Sequence, residues 1–299
     1  MGTRTTELVA VASGVHAWVQ PDGGWCLNNA GLIVDGGAAV LVDTAATERR
    51  ARALAAAVGE LAPSGPDFLV NTHFHGDHTF GNAYFKPRAV IVAHEHCRRD
   101  HLAAGHGLRG LWPDVEWGET PIVGADVTYA GESAALYAGG RTITLLHPGT
   151  AHTEGDTVVW LPDDGVLFAG DVLWSDTTPF CLMGSVTGSL AVIDRLRALG
   201  AETVVPGHGP VGGPELLDRT ESYLSWLLEL ARSGLEAGHD VLEVARRAQL
   251  GRFAELIDSE RVVGNLHRAY AELSGAEADI AAAFGEMITF HGGLPICTA

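Results

Sequence analysis

No stretch of this 299-residue chain approaches the roughly 20 apolar residues that a membrane span needs. Met1 to Val11 lacks a basic segment followed by an apolar one, so no secretory signal is visible. Cysteine is scarce: Cys26, Cys97, Cys181 and Cys297 lie far apart, with no C-x-x-C pair. In a chain of this size, four scattered thiols fit reduced cysteines in a cytoplasm better than a disulfide framework. Positive charge is also short: 19 Lys and Arg face 37 Asp and Glu, for a formal net charge of −18. Such a surface repels polyanions, which argues against a nucleic-acid partner and against anionic membranes. Low-complexity segments and flexible linkers are absent.

What the chain does have is apolar content of 46%, enough length for one large α/β domain, and fourteen histidines. Val15 to Val19 alternates as a strand does. Gly31 to Val34 and Val40 to Val42 flank Asp35-Gly36-Gly37, a hairpin signal. Thr47 to Val58, rich in Ala, Arg and Leu, reads as a helix. Short strands are expected at Phe68–Val70, Ala89–Ala93, Thr142–Leu146, Thr157–Leu161, Val166–Ala169 and Thr203–Val205, with a helix over Leu190–Leu199. From Pro214 onward the apolar residues recur at helical spacing. The expected division is a core over 1–213 and a helical extension over 214–299, packed on that core.

Four polar clusters each follow a predicted strand. They are Asn71-Thr72-His73-Phe74-His75-Gly76-Asp77-His78, His147 to His152, Gly170-Asp171 and Pro206-Gly207-His208-Gly209. Sites in α/β sheets collect at the carboxyl ends of strands, where Gly-rich loops let side chains converge. Zinc takes neutral imidazole nitrogen and carboxylate oxygen. Alternation puts His73 and His75 on one side of an extended segment. A turn at Gly76 would aim Asp77 and His78 at a second ion, and the Asp171 carboxylate could bridge the two. His94, His96, His101 and His106 read instead as surface histidines.

Thr72-His73-Phe74-His75-Gly76-Asp77-His78 resembles the H-x-H-x-D-H signature of the metallo-β-lactamase superfamily, and His152, Asp171 and His208 match its later ligands in order. The resemblance spans roughly Val15 to Val211. It implies a four-layer αββα sandwich with two Zn2+ at one edge. It also implies a first metal site from His73, His75 and His152, and a second from Asp77, His78 and His208, with Asp171 shared. Asp171 stands where some zinc β-lactamases place Cys, and His75 stands where flavodiiron proteins have a carboxylate. Both departures favour a dizinc hydrolase of the thioesterase or lactonase kind. Two such ions activate water and polarise a carbonyl. Asp77 and Asp171 are the expected catalytic carboxylates, Asp77 as a proton acceptor and Asp171 as the bridge.

A narrower resemblance rests on Gly23-Gly24-Trp25-Cys26, Gly110 to Glu119, Thr178-Pro179-Phe180, Asn265 to Ala269 and Gly292 to Cys297. These segments look like the cyclase/thioesterases of aromatic polyketide pathways, a branch that includes the second-ring cyclase of actinorhodin biosynthesis. That implies an aromatic polyketide substrate held on an acyl carrier protein. Trp25, Trp112, Trp117, Trp174 and Phe180 are the expected pocket aromatics. Acyl carrier proteins are acidic, so docking would need a basic face at Arg49-Arg50-Arg52, Arg98-Arg99 or Arg246-Arg247. Two other readings share the fold: a generic thioester or lactone hydrolase like glyoxalase II, and an iron-dependent sulfur oxygenase.

Overall fold

Successive side chains of a strand point to opposite faces, so a strand that is apolar at every position must be covered on both. The computed structural model, which describes residues 6–299, shows this arrangement. One sheet joins β1 (Glu7–Ala12), β2 (Val15–Val19), β3 (Ala30–Asp35), β4 (Ala38–Val42), β5 (Phe68–Val70), β6 (Val90–His94) and β7 (Val127–Tyr129) in chain order. The second runs β12 (Thr203–His208), β11 (Val166–Trp174), β10 (Val158–Leu161), β9 (Arg141–Leu146), β8 (Ser133–Ala138). β1 to β4 are antiparallel neighbours, β4 to β7 are parallel, and β11 pairs with β12 in parallel.

The alternation sorts the apolar residues into three layers. On β4, Val40 and Val42 face inward to meet Phe168 of β11 and Val205 of β12, while Ala39 and Leu41 face outward. The outward set packs on Leu54 and Val58 of α1 (Glu48–Leu61) and Cys97 of α3 (Glu95–Ala104), which follows the four-residue turn α2 (Gly76–Thr79). On the other side, Leu167 and Val204 pack on Val192 and Leu196 of α4 (Val186–Arg197). The same cluster takes in α5 (Glu215–Ala237), α6 (Val241–Arg247), α7 (Arg261–Ser274) and α8 (Ile280–His291). The fold is therefore an αββα sandwich extended by helices. Among the described residues no helix is long and apolar enough to cross a membrane.

Several local expectations change. β1, β7 and β8 are strands the sequence pattern did not signal. β11 does not stop at Ala169; it continues through Asp171 to Trp174, with a register shift at Gly170, whose φ of 52° suits glycine. His94 and His101 are not surface residues. His94 ends β6 and stacks on His147, with ring centroids 4.1 Å apart, and His101 is buried under α3. His106 is exposed.

Candidate metal centre

The ligand candidates come from strand ends on both sheets. His73 follows β5, and His75 caps α2, which carries Asp77 and His78. His152 sits in the β9–β10 loop, Asp171 within β11, and His208 at the last position of β12. Asp156 shapes the His152 loop by accepting from Thr153 N at 3.0 Å and Thr153 Oγ1 at 2.6 Å. Asn29 pins the loop after His208, donating to the carbonyls of Pro206 and Gly209 at 2.9 and 2.7 Å.

The seven side chains form two adjoining groups: His73, His75, His152 and Asp171, then Asp77, His78 and His208. In the first, His75 Nδ1 is 3.1 Å from His73 Nε2 and 2.8 Å from His152 Nε2. Asp171 Oδ2 is 3.4 Å from His152 Nε2 and 3.5 Å from His208 Nε2, while its Oδ1 is 3.1 Å from His78 Nε2. Asp77 Oδ2 is 3.3 Å from His208 Nε2. Asp171 thus touches both groups.

Donor chemistry tests whether a metal fits. The outer nitrogens of three rings meet acceptors: His78 Nδ1 on Asp43 Oδ2 at 2.8 Å, His208 Nδ1 on the Gly23 carbonyl at 3.0 Å, and His152 Nδ1 on the Phe180 carbonyl. His73 Nδ1 faces Thr72 Oγ1, whose own hydroxyl donates to Asp43. Each ring therefore holds its proton on the outside and turns a lone pair inward. Inside, His78 Nε2 and Asp171 Oδ1 are buried without a hydrogen-bond partner. Tetrahedral zinc with bonds of about 2.05 Å spaces its ligands about 3.3 Å apart, which the distances above bracket. The residues fit two divalent ions.

Burial and charge act differently on the two groups. Burial holds the His73 imidazole well below its usual range, and it lowers His75 to about 3. Burial alone would raise Asp77 and Asp171. His78 and His208 override it, bringing Asp77 to about 2 and holding Asp171 well below the carboxylate range. Burial would likewise lower His78, but Asp171 and Asp43 raise it.

The sequence profile of the metallo-beta-lactamase superfamily matches residues 23–208. This chain belongs to the metallo-β-lactamase superfamily. Among curated relatives, the type 2 metallo-beta-lactamase of Bacteroides fragilis is 26% identical over 213 residues, 69% of this chain and 79% of that protein. The hydroxyacylglutathione hydrolase of Methylococcus capsulatus is 32% identical over 141 residues, 46% of this chain and 45% of that protein. A solved metallo-beta-lactamase from Pontibacter korlensis shares the fold, with a TM-score of 0.61 and 23% identity over 74% of this chain and 99% of that one. At this level the chain is a metal-binding hydrolase.

Above the ligands lies a cavity of about 40 Å³, lined by Trp25, Trp174, Phe180, Met183, Arg261 and Phe284 among others. Trp112 lies one shell out, with Leu294 and Pro295, and its Nε1 donates to the Pro295 carbonyl at 2.7 Å. Trp117 does not reach the cavity; it packs edge-on to Phe80, with ring centroids 6.1 Å apart. Sequence reasoning missed Asp43, Arg261 and Phe284. Asp43 closes β4 as the ligands close theirs, and its φ of 60° is a left-handed backbone that Asp tolerates. Arg261 lies in α7 four residues before the Asn265–Ala269 segment, and Phe284 lies in α8, which carries no motif. Cys26 and Cys181 are buried; hydrogen bonding with Cys297, then burial, raises the Cys26 thiol, and burial raises Cys181. Of the basic segments, Arg52 pairs with Glu48, Arg99 with Asp100, and Arg247 with Glu243.

Proposed function

We propose that the chain is a dinuclear zinc thioesterase/cyclase acting on an aromatic polyketide intermediate held on an acyl carrier protein. The observation that carries this reading is the aromatic wall facing the metal-binding cluster: Trp25, Trp174, Phe180 and Phe284. Flat acyl chains gain most from such walls. Imidazole and carboxylate donors suit zinc, and His75 in place of the flavodiiron carboxylate favours zinc over iron.

His73, His75 and His152 would hold one ion, and Asp77, His78 and His208 the other, with Asp171 shared. Divalent ions there supply Lewis acidity and lower the pKa of water. The chain's own part is orientation and proton handling. Asp43 fixes His78 directly and His73 through Thr72. Asp77 commits Oδ2 to His208, which leaves Oδ1 to accept a proton. Trp25, Phe180 and Phe284 keep bulk water from the reacting carbonyl.

The small cavity and the hydroxyacylglutathione hydrolase relative favour a second reading, a thioesterase for small acyl groups. A cavity of about 40 Å³ has room for a few waters and not for a fused-ring acyl chain. On the polyketide reading, the segment around Leu294 and Pro295 moves aside to admit substrate. Metal analysis and kcat/KM on aromatic polyketide thioester mimics, lactones and lactoylglutathione separate the readings. About two zinc ions per chain and preference for the aromatic mimics are expected. Efficient turnover of lactoylglutathione with none of the mimics selects the small-acyl reading. One iron per chain, with activity following iron, rejects both.

A further inference from the structure

Arg261, the first residue of α7, is a charged side chain only 1% exposed. Among the described residues it is also the one Arg or Lys that lines the cavity over the candidate metal ligands. Its guanidinium carbon lies 4.1 Å from the centroid of Trp25 and 4.7 Å from that of Trp174. Trp174 in turn stacks on the His208 ligand, with centroids 4.8 Å and planes 15° apart. A continuous stack therefore runs from the metal centre to the guanidinium.

The bonding of this group is incomplete. Nη1 donates to the Thr178 carbonyl at 3.0 Å, and Nη2 pairs with Asp258 Oδ2 at 2.7 Å. A guanidinium has five N–H donors, and Nε is buried with no acceptor. A buried ion is costly to leave undersatisfied, and an apolar residue would tie α7 to the core more cheaply. Two indoles touching the planar cation leave its in-plane donors as the polar feature of an otherwise apolar wall.

We infer that Arg261 is a substrate-recognition residue that binds a delocalised oxyanion on a planar acyl chain, such as a carboxylate, phenolate or β-dicarbonyl enolate, beside the carbonyl that the metals handle. This deepens the aromatic-thioester reading above and rests on it. Asp258 serves as the resident counter-ion that such an oxygen joins or displaces. The rings of Trp25 and Trp174 hold that cation flat beside the wall they offer the acyl chain.

The test uses the zinc-loaded protein. Two naphthalene thioesters of N-acetylcysteamine, one with a β-keto oxygen and one with methylene there, are compared in wild type, Arg261→Gln and Arg261→Lys. Wild type should prefer the oxygenated chain by about tenfold or more, because a site built to bind an oxygen rejects the analogue lacking it. Arg261→Gln should lose that preference through KM, and Arg261→Lys should recover part of it. An equal loss on both thioesters would mark Arg261 as a packing residue and overturn the inference. A binding readout separates this outcome from failure of the thioesterase reading. Tryptophan fluorescence compares 2-naphthoate with 2-naphthamide, and neither ligand is turned over. An Arg261-dependent preference for naphthoate supports the subsite even if no aromatic thioester is cleaved. A preference unchanged in Arg261→Gln comes from the metals alone and overturns it. If Arg261→Gln does not fold, Asp258→Asn removes the competing carboxylate. Naphthoate should then bind more tightly, and unchanged or weaker binding overturns the assignment.

Discussion

At the scale of single residues, the centre depends on neighbours that never touch a metal. A Cβ on Gly207 would lie 1.9 Å from Asp171 Oδ1 and within 2.8 Å of the Gly170 carbonyl carbon and Asp171 N, so the backbone that carries Asp171 would have to shift. Gly207→Ala should displace Asp171, lower metal content and cut kcat by about 100-fold or more. Elemental analysis beside kinetics checks it, and full metal with wild-type rate would refute it. Asp43→Asn keeps the volume but weakens acceptance from His78 and Thr72. Metal affinity should fall about 10- to 100-fold in chelator competition. His101 gives a pH prediction. Burial, followed by the nearby His106, lowers it from 6.5 to about 4, so below pH 6.5 the unfolded chain binds the proton that the folded chain refuses. Its contribution to stability is therefore present above pH 6.5 and is lost as pH falls toward 4. The loss between pH 8 and 5 is about 2 kcal/mol. His101→Leu should flatten that part of the curve. The slopes of denaturant-derived stability against pH are the measurement, and parallel slopes would show that His101 does not titrate in this way.

At the scale of elements, the sequence revealed those with a strong period and concealed those without one. The Asp35-Gly36-Gly37 hairpin and α1 stand where turn residues and composition put them, because β3 and β4, buried on both faces, read as apolar runs on either side of the turn. β7 and β8 sit at sheet edges with several exposed residues, so they carry no apolar run to read. β11 hides its second half because Gly170-Asp171 looks like a loop, although Val172 to Trp174 are buried strand. The ligand positions were legible because histidine pairs at strand ends are rare by chance, whereas Arg261 and Phe284 belong to ordinary amphipathic helices. The segment after α8 is held by Trp112 Nε1 on the Pro295 carbonyl and by Arg50 Nη2 on the Thr298 carbonyl at 2.8 Å. A variant ending at Gly293 should lose about 1 kcal/mol of stability and gain kcat/KM on bulky thioesters more than on small ones. The matched substrate panel decides, and a uniform change across it would exclude a steric role for this segment.

At the scale of the whole molecule, the helices after residue 213 share one apolar cluster with the second sheet. Leu167 and Val204 lie in it with Leu224, Val263 and Met287. Glu272 of α7 adds a polar tie, accepting from Val186 N at 2.7 Å and Thr187 N at 3.0 Å at the start of α4. Residues 1–213 alone would expose that face, at about 1.5–3 kcal/mol for each large side chain uncovered. Calorimetry of the full chain should accordingly show one transition, and a fragment of residues 1–213 should aggregate or bind hydrophobic dyes; a soluble, cooperatively melting fragment would contradict this. All seven ligand positions nevertheless fall between residues 73 and 208, where the superfamily profile ends, while Arg261 and Phe284 fall beyond it. The cavity over the candidate ligands is therefore lined from both stretches: Trp25, Trp174 and Phe180 come from the profile region, Arg261 and Phe284 from the helices that follow it. Substitutions in α7 and α8 can thus reshape one side of that cavity while every candidate ligand position stays as it is.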